Sequence, residues 1–342
     1  MPRMPARLKL SRAQILAFRR RTGALDQRLP AGARSLQRAA WAGLTDSMPR
    51  AALLGLHARV EGIAPSALDE PTLVQVWGPR YSVYVVAADD LAIFTLGRLP
   101  DSGRTRARAL DLAARVHVAL DGSQSRDTDI AAALDVNGYE LKYAGLTGTI
   151  AIRWEGARAP ILWTVPPPAI EEAEATRELA RRFLHVFGPS DHAAFASWAG
   201  IGEAKAARAF ADLEAELVSV RAPLGDACLL ALDEAAVRDP AAPGTGVRLL
   251  PSGDAYTLGI TLAERSFLVP NDEQRGGLWT SRVWPGALLV DGEIVGTWRR
   301  AKRVLTVDTW KKLSPAAKDA VAAETDTLPL PDPGEGMTVH WN

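Results

Sequence analysis

The sequence predicts an α+β chain: three successive groups of helices, each ending in a β-hairpin, followed by a compact β-rich domain. Three observations carry that prediction. Helix start and stop signals alternate with short strand patterns along residues 1–238. Residues 239–246 hold two prolines and two glycines and mark a boundary. Beyond them the apolar runs are short and strand-like. At 342 residues the chain is longer than one core usually takes, so two to four modules are expected.

The first round opens with a helix over residues 11–21, with Ser11 as N-cap, Gln14 three residues on and Gly23 as the stop. Residues 35–44 and 49–60 read as two more helices, ending near Gly43 and Gly62. Strands at 73–77 and 81–86 follow, joined by a turn at Gly78 and Pro79. Helices followed by a hairpin is the order of a winged helix. The second round has helices at 104–120, 128–134 and 138–146, then strands at 149–155 and 161–165. Pro166, Pro167 and Pro168 form a stiff linker. In the third, 171–187 is amphipathic with acids in its first turn, Ser190 or Asp191 caps 192–199, and 203–213 follows. Strands at 218–220 and 228–232 end it. We therefore expect winged-helix modules at 1–100, 101–168 and 169–238, and a barrel-like domain at 246–342. That last domain reads as strands at 246–250, 258–260, 287–290, 293–298 and 304–307, a capped helix at 314–324 and a last strand at 338–341. Asp291–Gly292 is a hairpin turn signature. Residues 274–279 read as a surface turn, with Trp279 and Trp284 flanking turns as candidates for contact with bases.

Forty basic residues balance forty acidic ones, so net charge alone gives no sign of a polyanionic partner. Distribution does. Residues 1–40 carry ten basic groups, among them Arg19, Arg20, Arg21, Arg34 and Arg38, against Asp26 alone. A second cluster holds Arg98, Arg104, Arg106 and Arg108, and a third Arg299, Arg300, Lys302, Arg303, Lys311 and Lys312. Clustered arginine suits phosphate neutralisation, because each contact releases condensed counterions. A single cluster would read as a solvated helix face; three clusters on this fold favour DNA. Cys228 is the only cysteine, which excludes an internal disulfide and fits a reducing compartment. With no apolar run long enough to span a bilayer and no signal-peptide pattern, a cytoplasmic protein is expected. The five histidines lack zinc-ligand spacing and there is no dinucleotide or Walker fingerprint, so no metal or cofactor is expected.

Four stretches together resemble the AlkZ-like winged-helix DNA glycosylase family: AGLTDSMPRAALLGLHARV at 42–60, RFLHVFGPSDHAAFASW at 182–198, LLPSGDAYTLGITL at 249–262 and ALLVDGEIVGTWR at 287–299. The resemblance implies three winged-helix modules and a C-terminal β-barrel around a C-shaped channel for double-stranded DNA, alkylated or crosslinked. It implies excision of bulky or N7-alkylated purines. Nothing in the sequence requires a dimer, and a monomer is expected. In the family, a Gln-x-Gln or Gln-x-Asp pair before a proline positions water and stabilises oxocarbenium character.

The matching positions here are Thr45 and Ser47, with Asp46 between them and Pro49 beyond. Both hydroxyls can bind water, yet both side chains are shorter than glutamine. Asp46 should point away from the Thr45–Ser47 face if the segment is extended. Thr-Asp-Ser before a proline-started helix is also ordinary N-capping chemistry. A second departure lies in the first wing: Arg80, Tyr81, Ser82, Val83 and Tyr84 stand where the family often reads Arg-Gly-Thr-x-His, and Tyr could stack on a base. A third is Gly253, where the family usually has a large aromatic before the aspartate kept as Asp254; that aspartate either orients a neighbouring group or forms a turn. The candidate catalytic set is thus Thr45, Asp46, Ser47 and Asp254. The candidate DNA contacts are Arg19, Arg20, Arg21, Arg34, Arg38, Arg50, Arg80, Tyr84, Arg104, Arg106, Arg299, Arg300 and Arg303. The alternatives to a glycosylase are a non-catalytic DNA-binding regulator or damage sensor, and, more weakly, a protein-interaction scaffold.

Overall fold

The computed structural model describes residues 8–48, 50–156, 158–239, 244–329 and 336–342. Pro49, Arg3, Arg7 and part of the 239–246 boundary lie outside them. β1 (Leu8–Lys9) leads into α1 (Arg12–Thr22), which starts with the expected capping box between Ser11 and Gln14. α2 (Ala33–Ala39) is shorter than predicted: Gly43, with φ +74°, turns the chain into β2 (Leu44–Thr45), so Leu44 is strand rather than helix. α3 (Ala51–Arg59), β3 (Leu73–Trp77), β4 (Val83–Ala87) and α4 (Leu91–Phe94) complete the first round.

α5 (Gly103–Leu120), β5 (Ser125–Arg126), α6 (Asp127–Leu134), α7 (Leu141–Ala144), β6 (Ile150–Arg153) and β7 (Ile161–Thr164) make the second. The third holds α8 (Glu172–Phe187), α9 (His192–Ala199), α10 (Glu203–Asp212), β8 (Leu217–Ala222), β9 (Gly225–Leu230) and α11 (Glu234–Arg238). Asp191 is the residue that caps α9. The last part runs β10 (Val247–Leu250), α12 (Leu262–Leu268), α13 (Asp272–Leu278), β11 (Gly286–Val290), β12 (Glu293–Ala301), β13 (Val304–Thr309), α14 (Pro315–Asp326) and β14 (Thr338–Trp341).

The strands form three open sheets among the described residues. One has the order β2-β4-β3-β6-β7-β5, so the first two hairpins join edge to edge, through Gln75 opposite Ile152. A second joins β1 in parallel to the β8–β9 hairpin. The third has the order β10-β11-β12-β13-β14 and its edges do not meet, which corrects the barrel expected for the C-terminal part. Two further corrections fall there. Residues 258–260 are not a strand, and 274–279 is no surface turn but lies mostly within α13, leaving Trp279 buried. The fold is mixed α+β.

The cores show what positions the first round. β4 lies between β2 and β3, and Tyr84 is buried in the same core as Phe183, Phe195 and Trp198 from α8 and α9. α3 docks on the C-terminal sheet, where Leu54 packs against its core. A bidentate pair between Arg59 and Asp254, at 2.7 and 2.8 Å, locks that contact with both side chains buried.

Candidate functional site

β2 places the three polar residues singled out by the sequence, and its alternation separates them. Thr45 is half-buried, Asp46 buried and Ser47 exposed. The Thr45 hydroxyl donates to the Gly253 carbonyl at 2.8 Å. That approach needs glycine: its φ is +73°, and an added Cβ would come within 3.2 Å of Thr45 Oγ1. The two departures from the family pattern, a short residue at 45 and none at 253, therefore meet in space. Thr45 keeps its oxygen lone pairs for a water, while its proton is committed.

Asp46 turns the other way. Its Oδ1 accepts from Ala52 N at 3.0 Å and its Oδ2 from Gln75 Nε2 at 2.7 Å. Gln75 in turn accepts from Trp154 N at 2.5 Å, so the network spans both hairpins of the six-stranded sheet. Burial raises the Asp46 carboxyl to about 7, against the Ala52 and Gln75 hydrogen bonds that lower it. It lines a cleft of about 440 Å³ together with Arg50, Arg153, Trp154 and Trp163. The capping reading is thus displaced by one residue. Neither Thr45 nor Ser47 caps α3; Asp46 does so by accepting from Ala52 N six residues on, and Arg50 occupies the N-cap position with φ 65°. Asp254 is not a free carboxylate either: besides Arg59, it accepts from Tyr256 N at 2.9 Å as the cap of a short turn.

The candidate DNA contacts divide in four. Arg34, Arg38, Arg50, Arg80, Arg104, Arg299 and Arg300 are exposed, and none pairs with a carboxylate among the described residues. Arg299 and Arg300 donate to the carbonyls of Val283 and Lys302. Arg303 is half-buried and has partners of its own. Arg21 is tied to Asp239, and Arg106 to Glu172 through two 2.7 Å hydrogen bonds. Arg19, Arg20 and Tyr84 are corrections. Arg19 is buried and donates to the carbonyls of Phe187 and Gly188. Arg20 is buried against Asp26 and the Gly292 carbonyl. Tyr84 is 2% exposed and has no face to offer a base. The densest basic run in the sequence serves as internal ties.

Sequence reasoning missed one arrangement. His185 Nδ1 lies 2.9 Å from both oxygens of buried Asp233, and the ring meets Trp41 edge-on at 4.8 Å. His185 and Trp41 border a cavity of about 560 Å³ between the first helices and α8. The partners are far apart in sequence, and no local motif signals them. Among the described residues no group of three His, Cys, Asp or Glu side chains could hold a metal ion, and no helix is long and apolar enough to cross a membrane.

This architecture resembles that of a solved DNA glycosylase. The solved structure of the Streptomyces sahachiroi DNA glycosylase AlkZ matches 98% of this chain and 100% of its own, with a TM-score of 0.78 at 18% identity, a likeness of fold. The family model for DNA glycosylase AlkZ-like proteins matches residues 36–328, and the chain belongs to the AlkZ-like DNA glycosylase family. An interstrand DNA cross-link repair glycosylase of Streptomyces sahachiroi is 28% identical over 141 residues, a stretch spanning 40% of this chain and 37% of that protein.

Proposed function

We propose that this protein binds duplex DNA carrying bulky or N7-alkylated purines and hydrolyses their N-glycosidic bond, reading residues 1–238 as three winged-helix modules around a channel closed by the C-terminal domain. The observation that carries the reading is the exposure of Ser47 two residues beyond Thr45, which ends a strand and is held to the Gly253 carbonyl. N7-alkylation leaves the departing purine cationic, so the bond is already weakened and little acid is required. Water adds at C1′, the C1′–N9 electron pair leaves with the purine, and the water proton passes to solvent. Ser47 and the Thr45 oxygen can hold that water; oxocarbenium charge then needs nearby dipoles more than a strong base.

One observation favours the second reading, a damage sensor without excision. Both carboxylates near the motif, Asp46 and Asp254, are engaged in internal hydrogen bonds. The two readings part in one assay: incubate the protein with duplex containing N7-methylguanine and measure abasic sites. Abasic product from the wild type, lost in Ser47→Ala, supports excision. Tight, salt-sensitive binding with no abasic product supports the sensor. Product that survives in Ser47→Ala removes Ser47 from the chemistry.

A further inference from the structure

The cavity bordered by His185 and Trp41 has walls for which base excision gives no use. It holds about 560 Å³ between α1, α2, α8 and the turn at Ala255 and Tyr256, and neither Thr45 nor Ser47 lines it. That volume suits a small organic molecule. Much of the wall is small or apolar: Ala39, Ala42, Leu44 and Ala87 leave room beside the indole of Trp41. The Arg182 guanidinium lies 5.3 Å from the Trp41 ring centre, and His185 meets the ring edge-on at 4.8 Å. The indole is half-buried and lines the cavity, so it offers a flat surface there.

Three polar groups border the same cavity with hydrogen-bonding capacity to spare. Arg38 and Asp89 are both exposed, and neither side chain has a hydrogen bond or ion pair among the described residues. One buried guanidinium holds the segments that carry them. Arg182 donates to the Trp41 carbonyl at 3.1 Å and to Asp90 at 2.8 Å, so the residue three beyond Arg38 and the neighbour of Asp89 share an anchor. The third group is His185. Its Nδ1 lies 2.9 Å from both oxygens of buried Asp233, which is not part of the wall, whereas the imidazole is. A histidine held through Nδ1 has Nε2 left for a ligand, and here Nε2 has no partner among the described residues.

A cation and a carboxylate left free on one cavity wall call for a ligand with acceptors on one edge and donors on the next, on a flat ring that lies against indole. Guanine has that pattern. Its O6 and N7 accept from a bidentate arginine, and its N1–H and 2-amino groups donate to a carboxylate. Adenine carries an amine donor in place of O6 and has no N1–H. We propose that this cavity is a second binding site, for a free guanine nucleoside, with the base stacked on Trp41, Arg38 and Asp89 reading its two edges, and His185 Nε2 accepting a ribose hydroxyl. The site is separate from the β2 motif and does not depend on whether the protein excises bases.

The test titrates the full chain with guanosine, inosine and adenosine by calorimetry. Guanosine binds at one site per chain. Inosine, which keeps O6, N7 and N1–H but lacks the 2-amino group, binds more weakly, and adenosine binds at least about tenfold more weakly than guanosine. Arg38→Gln and Asp89→Asn each lower guanosine affinity about tenfold. Both side chains are exposed and unpaired, so unfolding midpoints stay at the wild-type value, which separates lost contact from lost fold. Ser47→Ala binds guanosine as the wild type does, because Ser47 lies outside the cavity. Loss of guanosine binding in Ser47→Ala places the ligand at the β2 motif and overturns the second site. Equal affinity for adenosine and guanosine, or guanosine binding untouched in Asp89→Asn, overturns the guanine reading. Failure of all three nucleosides to bind at millimolar concentration overturns the site itself.

Discussion

Asp46 and His57 are buried ionisable residues whose effects on stability oppose one another. Burial raises Asp46 to about 7, so the folded state favours its neutral form. Folding then holds a proton that the unfolded chain releases near pH 4, and stability from this group falls as pH rises from about 4 to about 7. His57 is lowered to about 4 by burial and by the neighbouring Arg28 and Arg248 charges, so the folded state favours neutral imidazole. Its contribution rises from about pH 4 to about pH 6.5. In the wild type the two slopes partly cancel. Replacement of Asp46 by Asn removes the falling one, so chemical denaturation of Asp46→Asn should show a stability that climbs more steeply than the wild type between pH 4 and 6.5. Parallel pH curves for the two proteins would show that Asp46 titrates normally. The polarity of the motif was legible in the sequence, as was the opposite facing of Asp46. What was not legible was the identity of its side-chain partner, because Gln75 comes from another strand and is itself held by Trp154 N beyond β6.

At the scale of elements, local signals served where a helix begins on its own side chains. Ser11 with Gln14 and Ser314 ahead of α14 were both readable. The same signal was present and unread at Thr261 with Glu264, a full capping box that starts α12, and at Asn271, which caps α13. Reading 258–260 as a strand hid them. Sheet closure was not legible, because strand order depends on which edges meet and not on any one strand's pattern. Asp254 shows the same limit: a turn residue by its neighbours, it is in fact the anchor of α3. Breaking that buried pair leaves an uncompensated charge. Arg59→Ala is therefore expected to cost about 3–5 kcal/mol in urea unfolding, far more than loss of an exposed ion pair. A cost below about 1 kcal/mol would mean that α3 and the C-terminal sheet are not coupled through this contact.

Across the whole molecule, the N-terminal segment acts as a strap. β1 pairs with β8 of the third round, and α1 sends Arg19 to the carbonyls at the end of α8 and Arg20 to Gly292 in the β11–β12 turn. The six-stranded sheet fuses the first two rounds, and α3 ties the first to the last. Each sequence module thus shares hydrogen bonds or core with another, so none buries its apolar face alone. The basic density of residues 1–40 looked like a DNA-binding arm because sequence shows charge without showing depth. With Arg19 at 7% exposure, its guanidinium cannot reach a phosphate, and burial lowers it from its ordinary value while the two carbonyls satisfy its donors. Arg19→Ala leaves those carbonyls unpaired in the interior, at about 2–4 kcal/mol. Its effect should appear in the unfolding midpoint and not in the salt slope of DNA binding, the reverse of the pattern expected for an exposed arginine that meets phosphate. If Arg19→Ala instead flattens the salt slope at an unchanged midpoint, the strap opens in solution and the N-terminal arginines belong to the DNA-facing surface after all.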